Sequence, residues 1–236
     1  MRVTEVLPEA GASADAATDE GRVWLAERYR RAAGAYVRIN MVTTLTGAAS
    51  GADGTSDTLT NRVDRAILGV IRRDAQVVVV GAASVRAEGY IVPRSATLAI
   101  VSRTGRLDGH RLDDADLDRV MLVVPERAVV DVPAGVQVVR TGSDGGISPT
   151  GIIAALAARG LDRVVCEGGP TLASAFAAAS VVDEYCITVA PRLTPVAVPV
   201  MSLDAAVDLE TRGMLVDDAG FSYLRLRPRR DDESTR

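Results

Sequence analysis

The sequence predicts an α/β domain with a mostly parallel central sheet and flanking helices. Three observations predict it. Short β-branched runs, of which residues 76–80 (QVVVV) are the plainest, suit strands buried on both faces of a parallel sheet. Segments with apolar residues at helical spacing alternate with those runs, as βαβ units require. Strand ends run into glycine or hydroxyl residues, and open parallel sheets bind ligands at the carboxyl ends of their strands. The 236 residues suffice for one large core, and with only 3% aromatics that core must be Val, Leu, Ile and Ala.

The elements follow in order. Residues 1–18, rich in Ala, Asp, Glu and Ser, read as a flexible lead-in. Residues 19–33 carry Val23, Trp24 and Tyr29 among charges and suit an amphipathic helix. Residues 35–44 read as a strand, and the glycine-rich segment 47–57 as a loop. Val63, Ala66, Ile67 and Val70 put an apolar face on a helix over 61–73. Strands follow at 76–80, 98–101, 120–124 and 136–139. Pro149 opens a helix that Gly160 stops, since Pro fits the first helical turn and Gly the position beyond the last. A strand over 163–166, a helix over 170–179 and a strand over 185–190 come next, and Pro191 closes that strand. Residues 221–227 alternate apolar and polar and read as a last, edge strand. One domain over 19–228 is expected, with 229–236 a solvated tail.

Composition excludes several chemistries. All 27 basic residues are arginine, and there is one histidine, His110. Without lysine there is no Schiff-base catalysis and no P-loop. A Ser-His-Asp hydrolase would have to use His110, and a zinc site with two histidines is impossible. The net charge of −4 argues against a nucleic-acid partner. Cys166 and Cys186 sit in apolar runs and read as buried small hydrophobes. No run of 18 uncharged apolar residues and no signal-peptide pattern occurs, so a cytoplasmic protein with no membrane partner is expected. Neither GxGxxG nor an HxE…PCxxC zinc signature is present.

Three strand ends could carry a site. At Val80-Gly81-Ala82-Ala83-Ser84 a strand enters a glycine turn and a short helix, where free N–H groups and a hydroxyl favour phosphate. At Cys166-Glu167-Gly168-Gly169-Pro170-Thr171 paired glycines admit a ligand close to the backbone, beside a carboxylate too costly to bury without purpose. At Ser102 and Arg103 a hydroxyl and a guanidinium suit a 2′-phosphate, which would select NADP(H). Taken singly, each also fits a structural turn.

Together they carry a resemblance. The run Asn40-Met41-Val42-Thr43-Thr44-Leu45-Thr46-Gly47 resembles the first strand and "SLDG" turn of the pyrimidine reductases of riboflavin biosynthesis. Residues 81–90 (GAASVRAEGY) resemble that family's "GAGTVRAEGY". Residues 165–172 (VCEGGPTL), then Val182-Asp183-Glu184 and Val189-Ala190-Pro191, resemble its "EGGPTL…VDE…P" block. The resemblance spans roughly residues 35–227. It implies a dihydrofolate reductase-like three-layer fold with an antiparallel C-terminal edge. It implies the cofactor NADPH, held by Gly81, Ala82, Ser84, Gly168, Gly169, Thr171 and Leu172, with the 2′-phosphate at Ser102 and Arg103. It implies a small-molecule substrate, 5-amino-6-(5-phosphoribosylamino)uracil, contacted by Asn40, Ser56, Thr60, Arg72 and Glu167. In that alignment Arg72 would grip a phosphate, and Glu88 and Glu167 would be the catalytic carboxylates. The bifunctional relatives have Lys where Asn40 stands and an Asp-Asp pair where Glu88-Gly89 stands, and the family's turn Asp is Thr46. A homodimer is implied as well. The alternatives are a reductase of another imine, such as dihydrofolate or a dihydropterin, and a non-catalytic NADPH-binding protein.

Overall fold

The computed structural model describes residues 1–112, 114–142 and 146–229. The chain opens with β1 (Arg2–Leu7) and β2 (Ser13–Asp15), then α1 (Asp19–Arg28), whose N-cap Thr18 accepts the Gly21 amide. β3 (Tyr36–Thr44) leads through the 47–57 loop to α2 (Arg62–Asp74), N-capped by Asn61 through the Asp64 amide. Side chains at both caps satisfy amides that the first helical turn leaves open. β4 (Val77–Gly81), α3 (Ala82–Glu88), β5 (Thr97–Val101), β6 (Val120–Pro125) and β7 (Gln137–Thr141) follow. Then come α4 (Pro149–Ala157), β8 (Arg163–Cys166), α5 (Pro170–Ala178), β9 (Glu184–Ala190), β10 (Leu209–Asp217) and β11 (Ser222–Pro228). Pro149 and Pro170 each sit in the first turn of their helix, where a missing N–H costs nothing.

Among the described residues the strands form one sheet in the order β2-β1-β10-β11-β9-β3-β8-β4-β5-β6-β7. From β9 to β7 every pairing is parallel, and from β9 outward through β11, β10, β1 and β2 every pairing is antiparallel. The valine run of β4 divides between two cores because strand side chains alternate. Val78 and Val80 join Ile67, Val70 and Ile71 of α2 on one face. Val77 and Val79 join Ile152 and Leu156 of α4 and Phe176 of α5 on the other. That is a helix-sheet-helix sandwich. Each of these fully buried aliphatic side chains contributes about 1.5–3 kcal/mol by leaving water.

Two sequence expectations are corrected. Residues 1–18 are not an unstructured lead: β1 pairs with β10 and β2 extends the edge. Val3 is fully buried there, and Glu5 faces inward because Arg28 pairs with it at 2.9 Å. Residues 221–227 are not an edge, since β11 lies between β10 and β9. β10 was not predicted at all. In α1 the core residues are Leu25 and Tyr29, while Val23 is 61% exposed. The predicted tail, from residue 230 on, lies outside the described residues.

Candidate active site

The parallel strands β4 and β8 end side by side, and the two glycine turns they feed are joined. The Glu167 amide donates to the Val79 carbonyl at 2.9 Å, and the Gly81 amide donates to the Gly168 carbonyl at 2.7 Å. The glycines are required by close approach. Gly168 has φ +87°, and a Cβ there would lie 2.7 Å from Met41 Sδ. A Cβ on Gly169 would lie 2.6 Å from Ser84 Oγ. Gly81 and Gly169 are the N-caps of α3 and α5, and neither helix start has a side-chain acceptor. Two uncapped helix starts, with the Ser84 hydroxyl against Gly169, are the arrangement an anionic phosphate group fits.

Beside this cradle lies a cleft of about 300 Å³ whose lining includes Asn40, Ser56, Thr60, Asp64, Arg72, Ser84, Glu88, Tyr90, Glu167 and Gly169. The predicted substrate contacts Asn40, Ser56, Thr60, Arg72 and Glu167 are thus brought together, with the predicted cofactor contacts Ser84 and Gly169 at the same place. Ala82, next to Gly81, is buried at the start of α3. Thr171 is exposed at the start of α5, whereas Leu172 packs against the core beneath the sheet.

The polar groups of the cleft pair in ways the sequence did not predict. Arg72 donates from Nε and Nη2 to the two oxygens of Glu167, at 2.7 and 2.6 Å. Its guanidinium also lies 5.2 Å from the centre of the Tyr90 ring. The fork expected to grip a phosphate is committed to a carboxylate instead. Glu88 Oε1 accepts the Ser56 amide at 3.2 Å and the Ser56 hydroxyl at 2.9 Å. Replacing Arg72 by alanine would leave Glu167, whose side chain is 6% exposed, without its counter-charge. We expect Arg72→Ala to lower the unfolding free energy by about 2–3 kcal/mol in urea titrations, because a carboxylate is then buried unpaired. A loss below a few tenths would show that the pair is not structural.

Asp64 is the cleft residue that sequence reasoning missed. It lies on α2 with 8% of its surface exposed, and Oδ1 accepts the Thr188 hydroxyl at 2.6 Å. Burial raises its carboxyl to about 6, against the pull of the Thr188 bond and Arg65 and with the push of Glu167. A signal existed: Asp64 falls on the stripe of Ile67 and Ile71, at i+3 and i+7, and a carboxylate on an apolar stripe is out of place unless used.

Further along the strand ends, Ser102 is buried, and its hydroxyl lies 3.3 Å from both Thr104 Oγ1 and the Arg106 carbonyl. Arg103 is exposed. The turn adjoins a hollow of about 660 Å³ lined by Arg86, Thr104, Arg106, Asp108, Val129 and Asp131. His110 accepts the Leu112 amide at 3.2 Å through Nδ1 and does not line the cleft. Both cysteines are buried and free, their thiols pushed up to about 12 by burial, as inert core residues should be. Among the described residues no helix is long and apolar enough to cross a membrane.

Sheet order, the paired glycine turns and the cleft beside them place this chain in the class of dihydrofolate reductase-like α/β proteins. A dihydrofolate reductase from Enterococcus faecalis, solved with NADP(H) and RAB-propyl, superposes with TM-score 0.53 at 13% identity over 83% of this chain and 97% of that one. More specifically, the chain belongs to the RibD C-terminal domain family, whose pattern matches residues 35–210. The family read from the "EGGPTL" block is thereby borne out. A pyrimidine reductase-like protein from Corynebacterium diphtheriae matches with TM-score 0.72 at 21% identity over 84% of this chain and 93% of that one. A deaminase/5-amino-6-(5-phosphoribosylamino)uracil reductase from Thermotoga maritima matches with TM-score 0.69 at 22% identity over 83% of this chain. The chain spans 57% of that longer protein. At these identities the likeness is one of fold. No curated protein sequence matches.

Proposed function

We propose that this chain is an NADPH-dependent reductase that converts 5-amino-6-(5-phosphoribosylamino)uracil to its ribitylamino product. The observation that carries the reading is the joined glycine cradle. The turns of Gly81 and Gly168-Gly169 are bonded to each other at the ends of β4 and β8, packed so closely that a Cβ at 168 or 169 would collide with Met41 or Ser84, and each turn opens into the start of a helix. The residues fit the pyrophosphate of a dinucleotide there, and the exposed Arg103, beyond the end of neighbouring β5, fits a 2′-phosphate, with Ser102 buried beside it. When bound, NADPH would supply a hydride. The chain's own residues then have three tasks: to hold the cofactor, to set the substrate carbon against it, and to supply a proton. Homodimerisation and a cytoplasmic location belong to this proposal through the family alone.

Reduction of a dihydropterin is the second reading. It is favoured by one observation: Arg72, which would have gripped the substrate phosphate, is bonded by both Nε and Nη2 to Glu167. Oxidation of NADPH in the presence of each candidate substrate separates the two readings. Turnover with the phosphoribosylaminouracil alone supports the first, and turnover with dihydrofolate alone supports the second. Binding of NADPH with neither turnover would leave only a cofactor-binding protein.

The cofactor assignment has its own test. Arg103→Ala should weaken NADPH binding about tenfold while NADH binding stays within twofold, since one charge-assisted contact to phosphate contributes about 1.5–3 kcal/mol before solvent screening. Equal loss for both nucleotides would remove the 2′-phosphate from Arg103. Fluorescence titration of the two reduced nucleotides reads this directly.

A further inference from the structure

A second concavity, of about 400 Å³, runs along the flank of α2 beside the cleft. Arg62, Arg65, Ala66, Gly69 and Arg73 form one wall, and Ala17 and Arg22 belong to the other. The α2 wall is a single stripe, because steps of three, four, seven and eleven residues return to one face of a helix. Four guanidiniums border this groove, and among the described residues no carboxylate does. That distribution is uneven in a chain whose 31 acidic residues outnumber its 27 arginines. Arg22 reaches out of the groove to Asp19 at 2.6 Å. Arg65 lies 3.6 Å from Asp57, with both side chains mostly in water. Arg62 and Arg73 are exposed, and neither side chain makes a hydrogen bond or ion pair among the described residues.

Gly69 is a second, independent observation. It sits inside a helix, where glycine is less favourable than alanine. A Cβ there would meet nothing within 4 Å, so no packing within the protein demands glycine. Together with Ala66 it keeps the floor of the groove low between the arginines. The opposite wall comes from α1 and the turn before it, which precede residue 35, where the family pattern begins. The groove is therefore separate from the glycine cradle and does not depend on the reductase reading.

We propose that this groove binds an anion with phosphate groups in a row, a linear triphosphate either free or carried by a nucleotide. A guanidinium fork matches phosphate oxygens two at a time, and it stays charged at any physiological pH. Arg62 and Arg73 are eleven residues apart, about 16 Å along the helix axis, which is more than a lone phosphate can span. A chain of phosphates laid over Ala66 and Gly69 can meet those two arginines from α2 and Arg22 from the opposite wall.

The test is calorimetric titration of the full chain with inorganic tripolyphosphate and with ATP, at about 0.15 M salt, where charges more than about 8 Å apart are screened. Tripolyphosphate should bind. ATP binding as tightly or more tightly makes a nucleotide the ligand, and weaker ATP binding makes it free polyphosphate. The double variant Arg62→Gln, Arg73→Gln removes two charges that have no partner in the fold, so its melting temperature should barely move. Its dissociation constant for tripolyphosphate should rise at least about tenfold, the scale of charge-assisted contacts after solvent screening. Gly69→Leu should melt higher, because leucine favours the helix, yet bind at least about tenfold more weakly, because its side chain fills the floor. A glycine with only a structural role would not move stability and affinity in opposite directions. No binding of tripolyphosphate overturns the proposal. So does binding that survives the double arginine variant unchanged, which would place the anion elsewhere, as at the glycine cradle.

Discussion

Glu184→Ala should lower the unfolding free energy by about 3–5 kcal/mol, the cost of breaking a buried ion pair from one side. Glu184 is fully buried, on the strand where the parallel half of the sheet meets the antiparallel half. Arg38, across from it in β3, donates to Oε2 at 2.7 Å from Nε and lies 2.5 Å from it through Nη2. Arg225 of β11 donates to Oε1 at 3.1 and 2.6 Å from Nε and Nη2. The Arg38 side chain is 2% exposed and that of Arg225 14%. Remove the carboxylate and the Arg38 and Arg225 guanidiniums face each other in a place water scarcely reaches, with Arg227 Nε, 3.9 Å from Oε1, losing the same partner. Against a typical total of about 5–15 kcal/mol, that loss brings the protein close to unfolding at room temperature. Glu184→Gln should cost less, since an amide oxygen can still accept from one arginine. Urea unfolding of both variants decides it: a loss under about 1 kcal/mol for Glu184→Ala would mean that the three charges are not interdependent.

That triad also shows why part of the molecule could be read from sequence and part could not. The run 76–80 announces β4 because four consecutive valines leave a local pattern with one solution. The glycine turn at 168–169 announces itself for a similar reason, since a backbone that must pass within contact of Met41 and Ser84 admits nothing larger. β1 stayed hidden because Glu5 occupies an inward slot, and the Arg28 that neutralises it lies 23 residues on. β10 stayed hidden because Gly213 and a register shift between Thr211 and Gly213 break its alternation. The two glycine turns are local in sequence and were therefore legible. The cleft beside them is built from pairs that are not local. Arg72 meets Glu167 across 95 residues and Asp64 meets Thr188 across 124. No spacing rule reveals such partners, so Arg72 was read as a phosphate grip and Asp64 was passed over.

The glycine pair allows stability and cofactor affinity to be separated by single methyl groups. Gly168→Ala should damage both. At φ +87° an alanine is strained by at least about 1–2 kcal/mol, and its Cβ would also press on Met41 Sδ at 2.7 Å. Met41 can yield only by repacking, because it is buried on β3. The Gly168 carbonyl that receives the Gly81 amide would shift with the strain, so both turns lose their common geometry. The unfolding free energy should fall by about 2 kcal/mol, by the sum of strain and overpacking, and NADPH affinity by 100-fold or more. Gly169→Ala should behave differently. Its φ of −60° suits any residue, so the backbone bears no strain. The new Cβ would meet Ser84 Oγ at 2.6 Å, and that hydroxyl can escape only by rotating away from the cradle. Affinity for NADPH should therefore drop at least tenfold while the melting temperature barely moves. Calorimetric titration with NADPH, paired with thermal unfolding of each variant, makes the comparison. If Gly169→Ala bound NADPH as the unsubstituted protein does, the hollow between α3 and α5 would not be where the cofactor sits.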